Sequence, residues 1–200
     1  MNTQITVPCS RVATLAVLLT LTASAASAQT MDANAVLASI DQKGAAYRDL
    51  ALKIWSFAEV GYQETKSSAL LQEQLTAAGF TVNAGVAEIP TAFTATWGSG
   101  KPVIGIIGEF DALPGLSQAA QADRHALVAD GAGHGCGHHL FGTAATASAI
   151  AVKDWLSANK RSGTLRFYGT PAEEGGAGKV YMLRAGLFDD VDAVVTMHPG

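Results

Sequence analysis

The sequence predicts an α/β fold, a mixed or mostly parallel sheet flanked by helices. Three observations carry this. Apolar residues at helical spacing fill the first part of the chain, and from residue 80 onward short apolar runs take over and then alternate with helical stretches. The run Val103-Ile104-Gly105-Ile106-Ile107-Gly108 is unbroken, as in strands buried on both faces of a sheet. No repeat or linker-like composition divides residues 29–200, which therefore read as one α/β layer.

Each element follows in order. Over 32–58, Val36, Leu37, Ile40, Tyr47, Leu50, Ile54 and Phe57 recur mostly three or four residues apart, which predicts an amphipathic helix with Gly44 as a candidate break and Trp55 and Phe57 in the core. Glu59-Val60-Gly61-Tyr62-Gln63-Glu64 interrupts the pattern, and a second helix is predicted over 65–78, closed by Gly79. Stretches 80–82, 85–89 and 92–97 read as short strands, followed by the buried strand 103–108. That strand runs into Glu109-Phe110-Asp111-Ala112-Leu113-Pro114 and so delivers two carboxylates at its carboxyl end, the edge where open α/β sheets bind ligands. The plainer alternative makes Asp111 a turn residue before Pro114. Residues 116–133 form a loop in which His125 is solvated. Small and apolar residues over 143–156 predict a helix close to the sheet, with Trp155 at its core or rim. Residues 136–139 then lie at or just before its amino end, a setting that favours thiolate over thiol. A strand at 164–168 leads to the adjacent Glu173 and Glu174, a helix follows at 179–185, and a last strand at 192–197 exits at His198.

Arg11, the apolar run 12–21 and Ala26-Ser27-Ala28 have the form of a signal peptide, with cleavage expected after Ala28 and export to a periplasmic or secreted destination. The run is too short for a good membrane span, so no membrane association is expected after cleavage. Composition is that of a globular chain, 48% hydrophobic and 15% charged. Without residues 1–28 it carries 12 basic and 17 acidic side chains. There is no basic cluster interleaved with aromatics, which excludes nucleic-acid binding. Cys9 departs with the signal and leaves Cys136 as a lone thiol in an oxidising compartment, for which metal ligation supplies a reason.

The chemistry concentrates in His134-Gly135-Cys136-Gly137-His138-His139. Thiolate and neutral imidazole are ligands that zinc-like metals prefer, and the glycines let side chains two apart converge. Asp111, Cys136, His138, Glu173, Glu174 and His198 come from successive loops on one presumed sheet edge. That is more donors than one tetrahedral structural site needs, and it points either to two metals or to one open catalytic site. Of the adjacent glutamates, one can ligate while the other stays off the metal and takes a proton from water.

Glu109-Phe110-Asp111-Ala112-Leu113-Pro114-Gly115, His134-Gly135-Cys136-Gly137-His138 and Pro171-Ala172-Glu173-Glu174-Gly175-Gly176, in that order, resemble the M20 metallopeptidases. Within that family they resemble the D-type amidohydrolases, the aminobenzoyl-glutamate hydrolase group in particular. The resemblance implies a zinc-exopeptidase-like catalytic domain over 29–200 with two divalent ions, Zn2+ first and Mn2+ or Co2+ as alternatives. It further implies that Cys136 bridges or ligates the ions, that His138, Glu174 and His198 ligate, that Glu173 is the catalytic acid/base, and that Asp111 orients a ligand from behind. The implied reaction is hydrolysis of small N-acyl or N-aroyl amino acids, such as aminobenzoyl-glutamate, or of dipeptides, by a homodimer. His139 stands where many D-type members have Asp. The family continues with an inserted lid or dimerisation domain and a last metal histidine, so this sequence is expected to be the amino-terminal part of such an enzyme, incomplete at its carboxyl end. Two rival readings are a truncated, non-catalytic metal-binding or interaction module and a cysteine hydrolase using Cys136 with His138. The second lacks an orienting third group.

Overall fold

In the computed structural model, residues 33–198 are described, and the expected signal peptide at 1–28 lies outside them. The helical pattern resolves into α1 (Ala33–Gln42) and α2 (Gly44–Phe57), split where Gly44 was the candidate break. Helix α2 buries Leu50, Ala51 and Ile54 and ends at Ala58, a left-handed residue whose N–H donates to the Ile54 carbonyl at 3.2 Å. Helix α3 (Thr65–Ala77) has no cap from its own N-cap side chain. Instead the Glu59 carboxylate accepts the N–H groups of Lys66 and Ser67 at 3.1 and 2.9 Å, where the positive end of the helix dipole favours a negative charge. Trp55 and Phe57 are half-buried.

The sheet consists of β1 (Thr81–Ala84), β2 (Phe93–Ser99), β3 (Val103–Glu109), β4 (Gly163–Thr170) and β5 (Ala193–Val195), in the order β1-β2-β4-β3-β5. It is mixed: β1–β2 and β2–β4 pair antiparallel, and β3 pairs parallel with both β4 and β5. The expected strand at 85–89 is corrected to a short 3-10 turn, Val86–Glu88. The chain must reverse there between antiparallel neighbours, and Val86 and Ile89 are apolar because both are buried on one face. The last strand is shorter than 192–197. Asp192 uses its carboxylate to accept the Val103 N–H at 2.7 Å, and pairing ends at Val195.

Period-two alternation decides the two cores. Phe167 joins Leu50, Ile54, Leu71, Leu75, Phe93 and Phe110 beneath the amino-terminal helices. Its neighbour Tyr168 faces the other way, toward Val86, Ile89 and Met182 of α6 (Gly178–Arg184). Helix α4 (His138–Ala158) begins earlier than the expected 143, so His138 and His139 lie in its first turn. It approaches the strand closely because Gly142 has no side chain; a Cβ there would stand 2.8 Å from the Glu109 carbonyl. Among the described residues, no helix is long and apolar enough to cross a membrane.

Candidate metal centre

Because β3, β4 and β5 run parallel, their carboxyl ends open on one edge. Asp111 follows β3, Glu173 and Glu174 follow β4 in the single turn α5 (Glu173–Gly176), and His198 follows β5. Cys136 and His138 enter from the amino end of α4, where Gly137 takes the left-handed N-cap conformation at φ 84°. These groups converge on His138, which is fully buried. Its Nδ1–H donates to Asp111 Oδ1 at 2.8 Å, and the other Asp111 oxygen accepts the Glu174 N–H at 2.9 Å. One carboxylate thus fixes both the imidazole and the loop after β4.

His138 Nε2 is directed at acceptors. It lies 3.1 Å from Glu109 Oε2 and 3.7 Å from Glu173 Oε2. Glu174 Oε1 stands on the opposite side of the ring, 3.8 Å from Nδ1. Cys136 Sγ is 3.2 Å from His198 Nε2. Two donor sets share His138, namely Cys136–His138–His198 and Glu109–His138–Glu173, each with its ligand atoms within 4.8 Å of one another. His138 Nε2, Glu109 Oε2 and Glu174 Oε1 are buried with no hydrogen-bond partner among the described residues. Unsatisfied buried polar atoms are costly, and a divalent cation held by the Glu109–His138–Glu173 set would satisfy His138 Nε2 and Glu109 Oε2. The donor chemistry therefore fits a metal.

Electrostatics agree. Burial opposes a charge on His138, but its hydrogen bond to Asp111 and the negative charge of the nearby Asp111 and Glu109 carboxylates outweigh it and push the ring up to about 10. Burial raises Glu109, yet His138 and Lys179, whose Nζ lies 2.5 Å away, bring it down to about 2. Four carboxylates thus face one lysine and one histidine, a field that attracts cations. The expected helix-end lowering of the Cys136 thiol is corrected. Burial and the neighbouring Glu174 and Glu173 push it up, against the lowering by His138. The thiol proton is held by the same negative surroundings that a metal would neutralise.

All six residues singled out from the sequence meet at this edge. Glu109 and Lys179 were missed as members; Glu109 was visible as a second carboxylate at the end of β3, whereas Lys179 carried no signal beyond its place at the start of a helix. His134 and His139 belong to neither donor set. His134 donates to the Ile54 carbonyl at 3.1 Å, and His139 packs edge-on against Trp55 at 4.7 Å between centroids. His125 is exposed in its loop, as expected. Beside Glu174 opens a cavity of about 370 Å3 bordered by Tyr62, Leu113 and Pro114. A second cleft of about 340 Å3, between α4 and β5, is lined almost wholly by apolar side chains.

Comparison with known proteins places these features in a wider set. Residues 105–200 match the model for the peptidase family M20/M25/M40. Over 154 residues the chain is 54% identical to a p-aminobenzoyl-glutamate hydrolase subunit of Escherichia coli (strain K12), an alignment covering 76% of this chain and 32% of that protein. It is 30% identical over 177 residues to Xaa-Arg dipeptidase of Homo sapiens, covering 80% of this chain and 37% of that one. The chain thus spans about a third of the length of these curated relatives. Among solved structures it resembles a Bacillus subtilis protein described as a dinuclear metal binding peptidase from the M20 family, with a TM-score of 0.63 and 25% identity over 82% of this chain and 44% of that one. An aminobenzoyl-glutamate utilization protein from Klebsiella pneumoniae gives a TM-score of 0.63 at 17% identity, covering 82% and 46%, and supports the fold alone.

Proposed function

We propose that this chain, whose residues 105–200 match the model for the peptidase family M20/M25/M40, serves a metal-dependent amidohydrolase. Its substrates are N-acyl or N-aroyl amino acids of the aminobenzoyl-glutamate kind, or dipeptides. The observation that carries this is the buried His138, held through Nδ1 by Asp111 while its unpartnered Nε2 faces the donor groups at the sheet edge. In this reading Cys136, His138, Glu174 and His198 would hold two divalent ions, zinc in the first instance. Such ions supply Lewis acidity, bringing water's acidity toward the neutral range and polarising an amide carbonyl. Glu173, more exposed than Glu174 and reaching over His138, accepts the proton of the attacking water and returns it to the departing amine. The Asp111 hydrogen bond at Nδ1 would direct Nε2 to a bound ion, which would displace the proton there. The cavity beside Glu174 seats the acyl group against Tyr62 and Pro114. We read the working protein as an exported homodimer.

The test follows release of p-aminobenzoate from p-aminobenzoyl-glutamate by the whole protein. Glu173→Gln is expected to lower kcat by about 10²- to 10⁴-fold, with metal content by elemental analysis unchanged. Retained turnover sinks the assignment of the base.

A further inference from the structure

Segment 59–64, which breaks the helical pattern, is wrapped against both loops that carry the site's carboxylates. Ala112 donates its N–H to the Glu59 carbonyl at 2.8 Å, and Val60 bridges Ala112 in parallel. Gly61 lies so close to Ala172 that a Cβ would stand 2.9 Å from the alanine methyl. The Tyr62 hydroxyl donates to the Gly176 carbonyl. The segment ends at Glu64, which is fully buried. Its Oε1 accepts the Ala172 N–H at 2.8 Å, and its Oε2 accepts the Thr91 hydroxyl at 3.0 Å.

Ala172 is where the chain turns from β4 into α5. It is a non-glycine residue in the left-handed region, at φ 54° and ψ 43°, a conformation that persists only when its surroundings impose it. Its carbonyl accepts the Gly176 N–H at 3.0 Å, so one peptide on either side of Ala172 sets the whole turn. Glu173 is the next residue. Burying a carboxyl is expensive unless its hydrogen bonds are made, and Glu64 spends one of them on this strained peptide.

We propose that Glu64 is a positioning residue: by anchoring the Ala172 N–H it sets where Glu173 and Glu174 stand over His138. The inference rests on the reading of that pair as base and ligand.

The test uses the full chain with two substitutions. Glu64→Met keeps side-chain length and removes both acceptors, whereas Glu64→Gln keeps an acceptor oxygen in the same shape. Two quantities are read: exchange of the Ala172 amide hydrogen, and binding of cobalt(II) followed by its visible d–d absorption. Glu64→Met is expected to lose protection at Ala172, to weaken cobalt binding by about 10- to 100-fold and to change the absorption band, and Glu64→Gln to restore all three. Unchanged protection and spectrum in Glu64→Met overturn the proposal, as does a folded Glu64→Gln that behaves like the methionine variant. If the unsubstituted chain takes up no cobalt, the metal reading of the site fails, and amide exchange alone then decides the role of Glu64. Should Glu64→Met not fold, Thr91→Val releases the carboxyl's other side-chain anchor. It is expected to shift exchange and spectrum in the same direction, and no shift in either overturns the proposal.

Discussion

Asp111 does two jobs with two oxygens: Oδ1 accepts from His138 Nδ1 and Oδ2 from the Glu174 N–H. An amide cannot do both, because its NH2 would confront one of the two donors. Asp111→Asn is therefore expected to weaken metal binding by about 10- to 100-fold, measured by calorimetric titration; undiminished affinity would show that the imidazole needs no such support. At this scale the sequence was informative where residue type alone carries chemistry. Cys136 and His138 could be picked out because thiol and imidazole flanked by glycine have few other uses. Glu64 could not, since a buried glutamate has the same letter as a solvated one and only its partners 27 and 108 residues away, Thr91 and Ala172, reveal it.

The first turn of α4 shows what an element adds to its residues. His139 points from it into a pocket made by Trp55 of α2 and by His134, whose ring centroid is 5.0 Å away. Burial, and then the neighbouring His134 and His138, lower its ring to about 4, so the folded chain keeps it neutral where the unfolded chain, near 6.5, does not. A depressed histidine makes the unfolded state the better proton binder, and stability falls as pH drops from about 6.5 through about 4. Urea midpoints across that range are expected to decline less steeply in His139→Phe, which fills the pocket without titrating; parallel slopes would refute this. Element existence was largely legible, since periodicity distinguishes α3 from β3. Boundaries were less so. The start of α4 was placed late because His138-His139-Leu140 lacks apolar periodicity and is helical for the sake of its tertiary partners. The strand expected at 85–89 failed because Val86 and Ile89 are apolar for packing on a face, a property that turns and strands share.

For the whole molecule, the arrangement of unpaired acceptors around His138 means that the metal-free fold carries a penalty which binding removes. At a free metal concentration a hundred times the dissociation constant, linkage gives about 2.7 kcal/mol of added stability. Zinc should raise the thermal midpoint and a chelator lower it, by calorimetry; identical midpoints would place the donors outside any functional metal site. The α/β class was readable because alternation of strand and helix constrains topology strongly. Strand order was not readable. Nothing in β2 announces that it pairs with β4 rather than β3, because that choice is made by the fit of Phe93 against Gly169, whose Cβ position is filled by the aromatic ring.

The parallel pairing of β5 with β3 joins Ile104 to Ala193 across nearly half the chain. During synthesis, the β3 loop bearing Asp111 and the α4 turn bearing His138 exist long before the strand that delivers His198. The half-built site already holds a thiol, an imidazole and carboxylates, while the imidazole that faces Cys136 is still to come. Until β5 pairs with β3, Cys136 therefore lacks the His198 ring that stands 3.2 Å from its sulfur in the finished fold, so the thiol's final surroundings depend on the last strand to be made.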